Sequence, residues 1–207
     1  MGLLSLLIDQ PFLFVLLSVP LLYSIVLHEL AHGWMAARMG DPTAQQLGRL
    51  SLNPLKHLDP VGTLLLFVFG FGWAKPVPVD VRNFREPRKG FVLVSAAGIV
   101  VNVILAFLAL LALRLSSASP ADALTAFLYI LAQVNLTLAA FNLIPIPPLD
   151  GSKILMGLVS GRILQWLLQL ERYGFIILIG LLYFDVLDPV IRVFRLGIWS
   201  FINLLLP

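Results

Sequence analysis

Five residues, His28-Glu29-Leu30-Ala31-His32, lie within a stretch from Pro11 to Met39 that is otherwise almost wholly apolar. As a helix, Pro11–Arg38 would be about 42 Å long, which exceeds a hydrocarbon core of roughly 30 Å. Residues four apart share a helix face, so the two imidazoles of H-E-x-x-H can converge on one Zn²⁺, with the glutamate beside them as a proton acceptor. An ionisable group at such depth costs roughly 2.5–3.5 kcal/mol on insertion scales and marks function by default. A histidine pair hydrogen-bonded to neighbouring helices, with Glu29 as counter-ion, is the structural alternative. A metal accounts for all three polar residues at once.

Composition excludes a soluble fold. Of 207 residues, 59% are hydrophobic and 12% charged, and the mean hydropathy is +0.96. A water-soluble domain of this size could not hide so much apolar surface. No cysteine is present, so neither thiolate ligands nor disulfides enter the argument. The net charge of +3 is small and clustered, which reads as topology rather than nucleic-acid binding. A cleavable signal peptide is not expected, because the first ten residues carry no Lys or Arg and Asp9 interrupts the apolar run.

Met1–Ile8 reads as a short interfacial helix stopped at Asp9-Gln10-Pro11, and 11–38 as the first span, kinked at Pro20. Basic residues follow this span at Arg38, Arg49 and Lys56, and none precedes it. The positive-inside rule therefore places the N-terminus outside. His28 lies roughly 15 Å along the axis from Arg38, in the cytosolic half of the bilayer. Gly40–Pro60 reads as a cytosolic loop. Further spans are expected at 91–113, 123–146 and 173–187, with 116–122 as an external turn. A C-terminal helix over about 189–206 reads either as interfacial or as a final span.

Val61–Trp73 is thirteen residues with three glycines, too short for an ordinary span. A full crossing would put the basic cluster Arg82, Arg85, Arg88 and Lys89 outside, and Asp150 on the face opposite the histidines. A re-entrant dip over 61–80 avoids both results. Its exit, Lys75-Pro76-Val77-Pro78-Val79, is proline-rich and extended, and such a run is confined to an edge strand. That strand is either a surface on which an unwound peptide could pair or an ordered exit from the dip.

A catalytic zinc usually takes three protein ligands and keeps one position open. Beyond the first helix the carboxylates are Asp41, Asp59, Asp80, Glu86, Asp150, Glu171, Asp185 and Asp188. Asp150 is favoured because it follows the helix-terminating run Pro145-Ile146-Pro147-Pro148 at membrane depth. Its alternative role is an N-cap for a helix beginning at Gly151. The remaining histidine, His57, sits in a polar loop beside Asn53, Pro54, Lys56 and Asp59, where an ordinary loop residue is the default.

HELAH at 28–32 and FNLIPIPPLDG at 141–151 together resemble the site-two proteases, the intramembrane zinc metallopeptidases. GRLSLNPLKHLDPVGT at 48–63 and GWAKPVPVD at 72–80 are similar to a compact bacterial-type subgroup without PDZ domains. Gly98 and Asn102 match the family's third core segment, whereas Ile99 stands where the family often has proline. The resemblance implies one Zn²⁺ per chain held by His28, His32 and Asp150, with Glu29 as general base and Asn142 steadying the oxyanion. It implies a single membrane-embedded peptidase domain over 1–207. That domain is an all-α, polytopic fold of about four transmembrane helices, with a re-entrant segment carrying a short β-strand or hairpin. The expected place is the cell membrane, as a multi-pass protein with its active site toward the cytosolic half. The expected partners are the bilayer and a transmembrane substrate, with no nucleic acid and the oligomeric state left open. A zinc transporter would more often show internal repeats, and none is found. A non-catalytic scaffold needs no such constellation.

Overall fold

In the computed structural model, residues 3–69, 72–116, 119 and 122–207 are described. The tip of the expected dip at 70–71 and most of the expected external turn at 116–122 lie outside these residues. A short helix α1 (Leu3–Asp9) leads into α2 (Pro11–Met39). Pro11 occupies the first turn of α2, where its missing N–H costs nothing. Gly40 ends it at φ 112°, a left-handed cap that few other residues adopt cheaply. Pro20, buried, lies within this helix. α3 (Thr43–Gln46) and α4 (Pro60–Phe69) follow, then α5 (Pro87–Leu115) and α6 (Ala123–Asn142). The chain closes with α7 (Asp150–Leu158), α8 (Gly161–Glu171), α9 (Gly174–Tyr183) and α10 (Asp188–Leu205).

α5 is the central helix, packed against α2, α6 and α7. Its sequence explains this position. Gly98, Asn102, Ala106 and Ala109 lie along one buried face, whereas Val100, Ile104 and Leu108 are exposed at i, i+4 and i+8. Small residues allow close helix approach, and the branched stripe faces outward as a lipid-facing surface does. Ala132, Ala139 and Ala140 on α6 do the same from the other side. Polar groups are buried inside, including Ser24, His28, Asn102, Asn135 and Asp150, while large apolar side chains such as Phe12 and Val15 are exposed. This inverted polarity, with α2, α5 and α6 each long and apolar enough to cross a bilayer, makes the chain an integral membrane protein.

Several boundaries and one element differ from the sequence expectation. α5 begins at Pro87, ahead of the expected residue 91, and α6 ends at Asn142 rather than 146. The expected span 173–187 is not one helix. α9 has ten residues, about 15 Å, and makes a 73° bend with α8, so the pair would count as a fourth crossing only together. The expected β-strand or hairpin is not formed. Among the described residues there is one isolated bridge, Leu58 with Ala74. Pro76 and Pro78 lack the N–H groups that a ladder needs, and Val77 N–H, Lys75 O and Pro76 O are taken by side chains, as set out below. The excursion nevertheless returns on itself: Lys75 N–H donates to His57 O at 2.8 Å, so its two arms meet.

α10 runs beside α6 in the opposite direction. Its Ile191 and Phe194 pack with Ile144, Leu149 and Leu187 near the C-terminal end of α6. Further along, Ile198, Ile202 and Leu206 pack with Ala106, Ala109, Ala132 and Leu136. The Arg195 guanidinium donates to Gln133 on α6, and Arg114, near the end of α5, donates to Pro207 O at 2.8 Å.

Candidate metal centre

α2 carries His28 and His32 on the face turned toward α5, and α7 delivers Asp150 from its first residue. Between α6 and α7 the prolines forbid continued helix, and a tight turn brings the chain back. Ile144 and Leu149 are buried against Leu178 and Leu187 there, and the Pro147–Pro148 peptide is cis. Asp150 Oδ2 comes to 3.0 Å from His28 Nε2 and 3.1 Å from His32 Nε2. The two Nε2 atoms are 3.0 Å apart. The three residues are 7%, 9% and 4% exposed in the order His28, His32, Asp150. Asp150 is not an N-cap: the cap position of α7 is Leu149, and no cap hydrogen bond is made by a side chain. Its second oxygen is approached by Lys153 Nζ at 3.6 Å.

The donor pattern tests whether these groups suit a cation. His32 Nδ1 lies 2.7 Å from Val94 O. A carbonyl only accepts, so this nitrogen carries the proton and Nε2 of the neutral ring is a lone pair. His28 Nδ1 lies 2.6 Å from Asn102 Oδ1 and is likewise the donor. Asp150 Oδ2 is buried and accepts no hydrogen bond. Three acceptor atoms therefore converge with no proton between them, an arrangement that repels itself unless a cation sits among them. Two imidazoles and a carboxylate are a ligand set that zinc accepts.

Gly98 of α5 passes directly beneath the rings. A Cβ built there would lie 2.5 Å from His28 Cε1 and 2.6 Å from His32 Nε2. The glycine is what lets α5 approach the imidazoles.

Glu29, half-buried on the next position of α2, accepts a hydrogen bond from Val77 N–H at 2.8 Å through Oε2. The extended segment 75–79 is thereby tied to the site. Arg49 Nη2 donates to Lys75 O at 2.9 Å and to Pro76 O at 3.3 Å. Its far end is held by Asp41, which has no exposed surface. Asp41 accepts from Asp80 N–H at 2.7 Å, Asn83 Nδ2 at 2.8 Å and the Thr43 hydroxyl. Burial alone would raise the Asp41 pKa, but these hydrogen bonds, led by Thr43, hold it below the ordinary carboxylate value. The neighbouring Asp80 carboxyl is lowered to about 2 by the Arg82 guanidinium. With Lys75 N–H, Val77 N–H and two carbonyls already engaged, segment 75–79 fits an ordered exit better than a free pairing edge.

Two other residues weighed from the sequence have their hydrogen bonds elsewhere. His57 is buried at the base of the excursion, where Nε2 donates to Ser51 O at 2.8 Å. Asn142, at the end of α6, donates from Nδ2 to Leu138 O at 3.0 Å. Sequence reasoning gave no role to Ser24, Asn135 or Lys153. The available signal for Asn135 was its position seven residues before Asn142, two turns along the same helix, in an otherwise apolar span.

Two histidines and a carboxylate gathered within apolar helices form a candidate metal centre inside an integral membrane protein. The chain belongs to peptidase family M50, the site-two proteases, whose sequence profile matches residues 112–182. "Putative zinc metalloprotease YwhC" of Bacillus subtilis (strain 168) is 48% identical over 172 residues, 80% of this chain and 78% of that protein. "Putative zinc metalloprotease Rip2" of Mycolicibacterium smegmatis is 32% identical over 197 residues, 91% of this chain and 73% of that one. "Zinc metalloprotease MJ0392" of Methanocaldococcus jannaschii is 29% identical over 150 residues, 72% of this chain and 35% of the relative. No solved structure matches. The protein is a zinc metallopeptidase.

Proposed function

We propose that this enzyme hydrolyses peptide bonds within transmembrane segments of membrane-anchored proteins. The observation that carries the reading is the convergence of His28 Nε2, His32 Nε2 and Asp150 Oδ2, all within 3.1 Å of one another, inside helices that suit a bilayer. These three residues would hold the zinc. Zinc bound there supplies a Lewis acid and brings the pKa of its water toward about 7. Glu29 is the general base. Val77 N–H holds Oε2, and the other carboxylate oxygen takes a proton from the attacking water and passes it to the leaving amine. Asn142 uses the second proton of its Nδ2 group to steady the oxyanion, the first being bound to Leu138 O. Loss of one such donor in other enzymes costs roughly 10²–10³ in rate.

The substrate helix must unwind first, because an intact helix keeps each scissile carbonyl hydrogen-bonded. The basic residues after α2 support a site in the cytosolic half of the cell membrane. The test is cleavage of a single-span substrate by purified enzyme in detergent or proteoliposomes. Zinc-dependent cleavage is expected from wild type and none from Glu29→Gln, with zinc content unchanged. Equal cleavage by the two would remove Glu29 from the chemistry, and zinc flux without cleavage would favour a transporter.

A further inference from the structure

We infer that Asn135, on α6, decides which nitrogen of His28 is presented to the metal position, acting through Asn102. The orientation of a buried amide is normally ambiguous. Here one end of the chain of hydrogen bonds resolves it. An amide atom of Asn135 lies 2.8 Å from Leu131 O, a carbonyl that can only accept, so that atom is the nitrogen. The same nitrogen is 2.8 Å from Ser24 Oγ. The oxygen of Asn135 is therefore turned toward Asn102 and receives its Nδ2–H at 2.8 Å. That leaves Asn102 Oδ1 facing His28 Nδ1 at 2.6 Å. His28 must donate from Nδ1, and its only remaining ring nitrogen, Nε2, is a lone pair aimed at Asp150 and His32. Ser24, Asn102 and Asn135 are 1%, 0% and 0% exposed, so water does not substitute for any member of the chain.

The two imidazoles are thus set by different means. His32 is fixed by a backbone carbonyl, Val94 O, which cannot turn round. His28 is fixed by a primary amide, which can. Without the Asn135 oxygen, Asn102 is free to rotate and offer its NH₂ to His28 Nδ1. The ring proton then moves to Nε2 and points at Asp150 Oδ2, 3.0 Å away, occupying the atom that a metal requires. Asn135 is a positioning residue, two hydrogen bonds removed from the ligand. Partners of this kind alter metal affinity by about 10–100-fold in other sites.

The inference rests on His28 being a zinc ligand, and the test separates the two. The metal-free protein, labelled with ¹⁵N-histidine, reports which ring nitrogen of His28 carries the proton, and this measurement needs no zinc. Wild type is expected to be protonated at Nδ1, and Asn135→Leu to shift toward Nε2 while His32 stays unchanged. Zinc affinity by chelator competition should fall about 10–100-fold in Asn135→Leu. Asn135→Asp should restore both, since a buried, protonated carboxyl keeps an acceptor for Asn102 and a donor for Leu131 O. If Asn135→Leu does not fold, Asn135→Ala carries the same two measurements. An unchanged His28 tautomer with affinity within twofold of wild type would overturn the relay. Loss of zinc from Asn135→Asp and Asn135→Leu alike would also overturn it, as a packing effect. Zinc retained by His28→Ala would instead count against the ligand assignment, and the tautomer measurement would still decide the relay.

Discussion

Gly98 leaves no room for a methyl group, and the atoms that a methyl would meet are those of the two imidazoles. Gly98→Ala should therefore displace His28 and His32 rather than merely loosen helix packing. Overpacking of this kind costs about 1–3 kcal/mol, so a lowered thermal midpoint with a large drop in zinc affinity is expected, measured by melting and by chelator competition. Ligand identity is tested by a pair of variants. Asp150→Ala should lose most bound zinc, because its carboxylate comes within 3.1 Å of both rings. His57→Ala should keep zinc, because its Nε2 donates to Ser51 O in the loop and its ring is not among the three groups that converge. Metal analysis of both purified proteins checks this, and the reverse pattern would move the ligand to His57.

At the scale of elements, the excursion between Leu58 and Ala74 brings its arms together, which favours the proposed dip over a crossing. Lys56 and Arg85 should then both be cytosolic. Single cysteines at these positions are clean probes, since the native chain has none. Labelling of position 85 from outside would rule out the dip. The exit from the dip depends on Asp41, whose hydrogen bonds reach Thr43, Asp80 and Asn83. Its folded pKa is depressed, so the stability it contributes is present above the unfolded value of 3.8. That contribution is lost as pH falls below 3.8 through the folded value. Melting curves for wild type and Asp41→Asn should differ near pH 7 and converge under acid conditions. Carboxylates common to both proteins, Asp150 among them, cancel in that difference.

For the whole molecule, the metal position lies roughly 15 Å from the level of Arg38 within a core about 30 Å thick. Cut sites should fall in the cytosolic half of a substrate span, near residues that let the helix open. Changing a Gly near that point to Leu raises the cost of unwinding by roughly 1 kcal/mol, or about fivefold in rate. Mass spectrometry of products from a model single-span substrate with and without such residues gives the answer. Cuts in loops, or rates indifferent to the change, would place the chemistry elsewhere.

The membrane class, the two histidines and the catalytic glutamate candidate were legible in the sequence because each is a local property. Hydropathy summed along a helix and a spacing of four residues need no knowledge of other segments. The resemblance at 141–151 extended this to Asp150. Tertiary structure alone decided what surrounds them. Asn102 and Asn135 are 33 residues apart, and only the packing of α5 between α2 and α6 makes them neighbours of His28. Apolarity over 173–187 did not reveal that the helix there ends at Tyr183, and the extended backbone at 75–79 did not reveal its partners. Its hydrogen bonds go to Glu29, Arg49 and His57, each distant in the chain. Hydrogen bonds between remote residues leave no periodic trace, so the wiring of this site exists only in the folded protein.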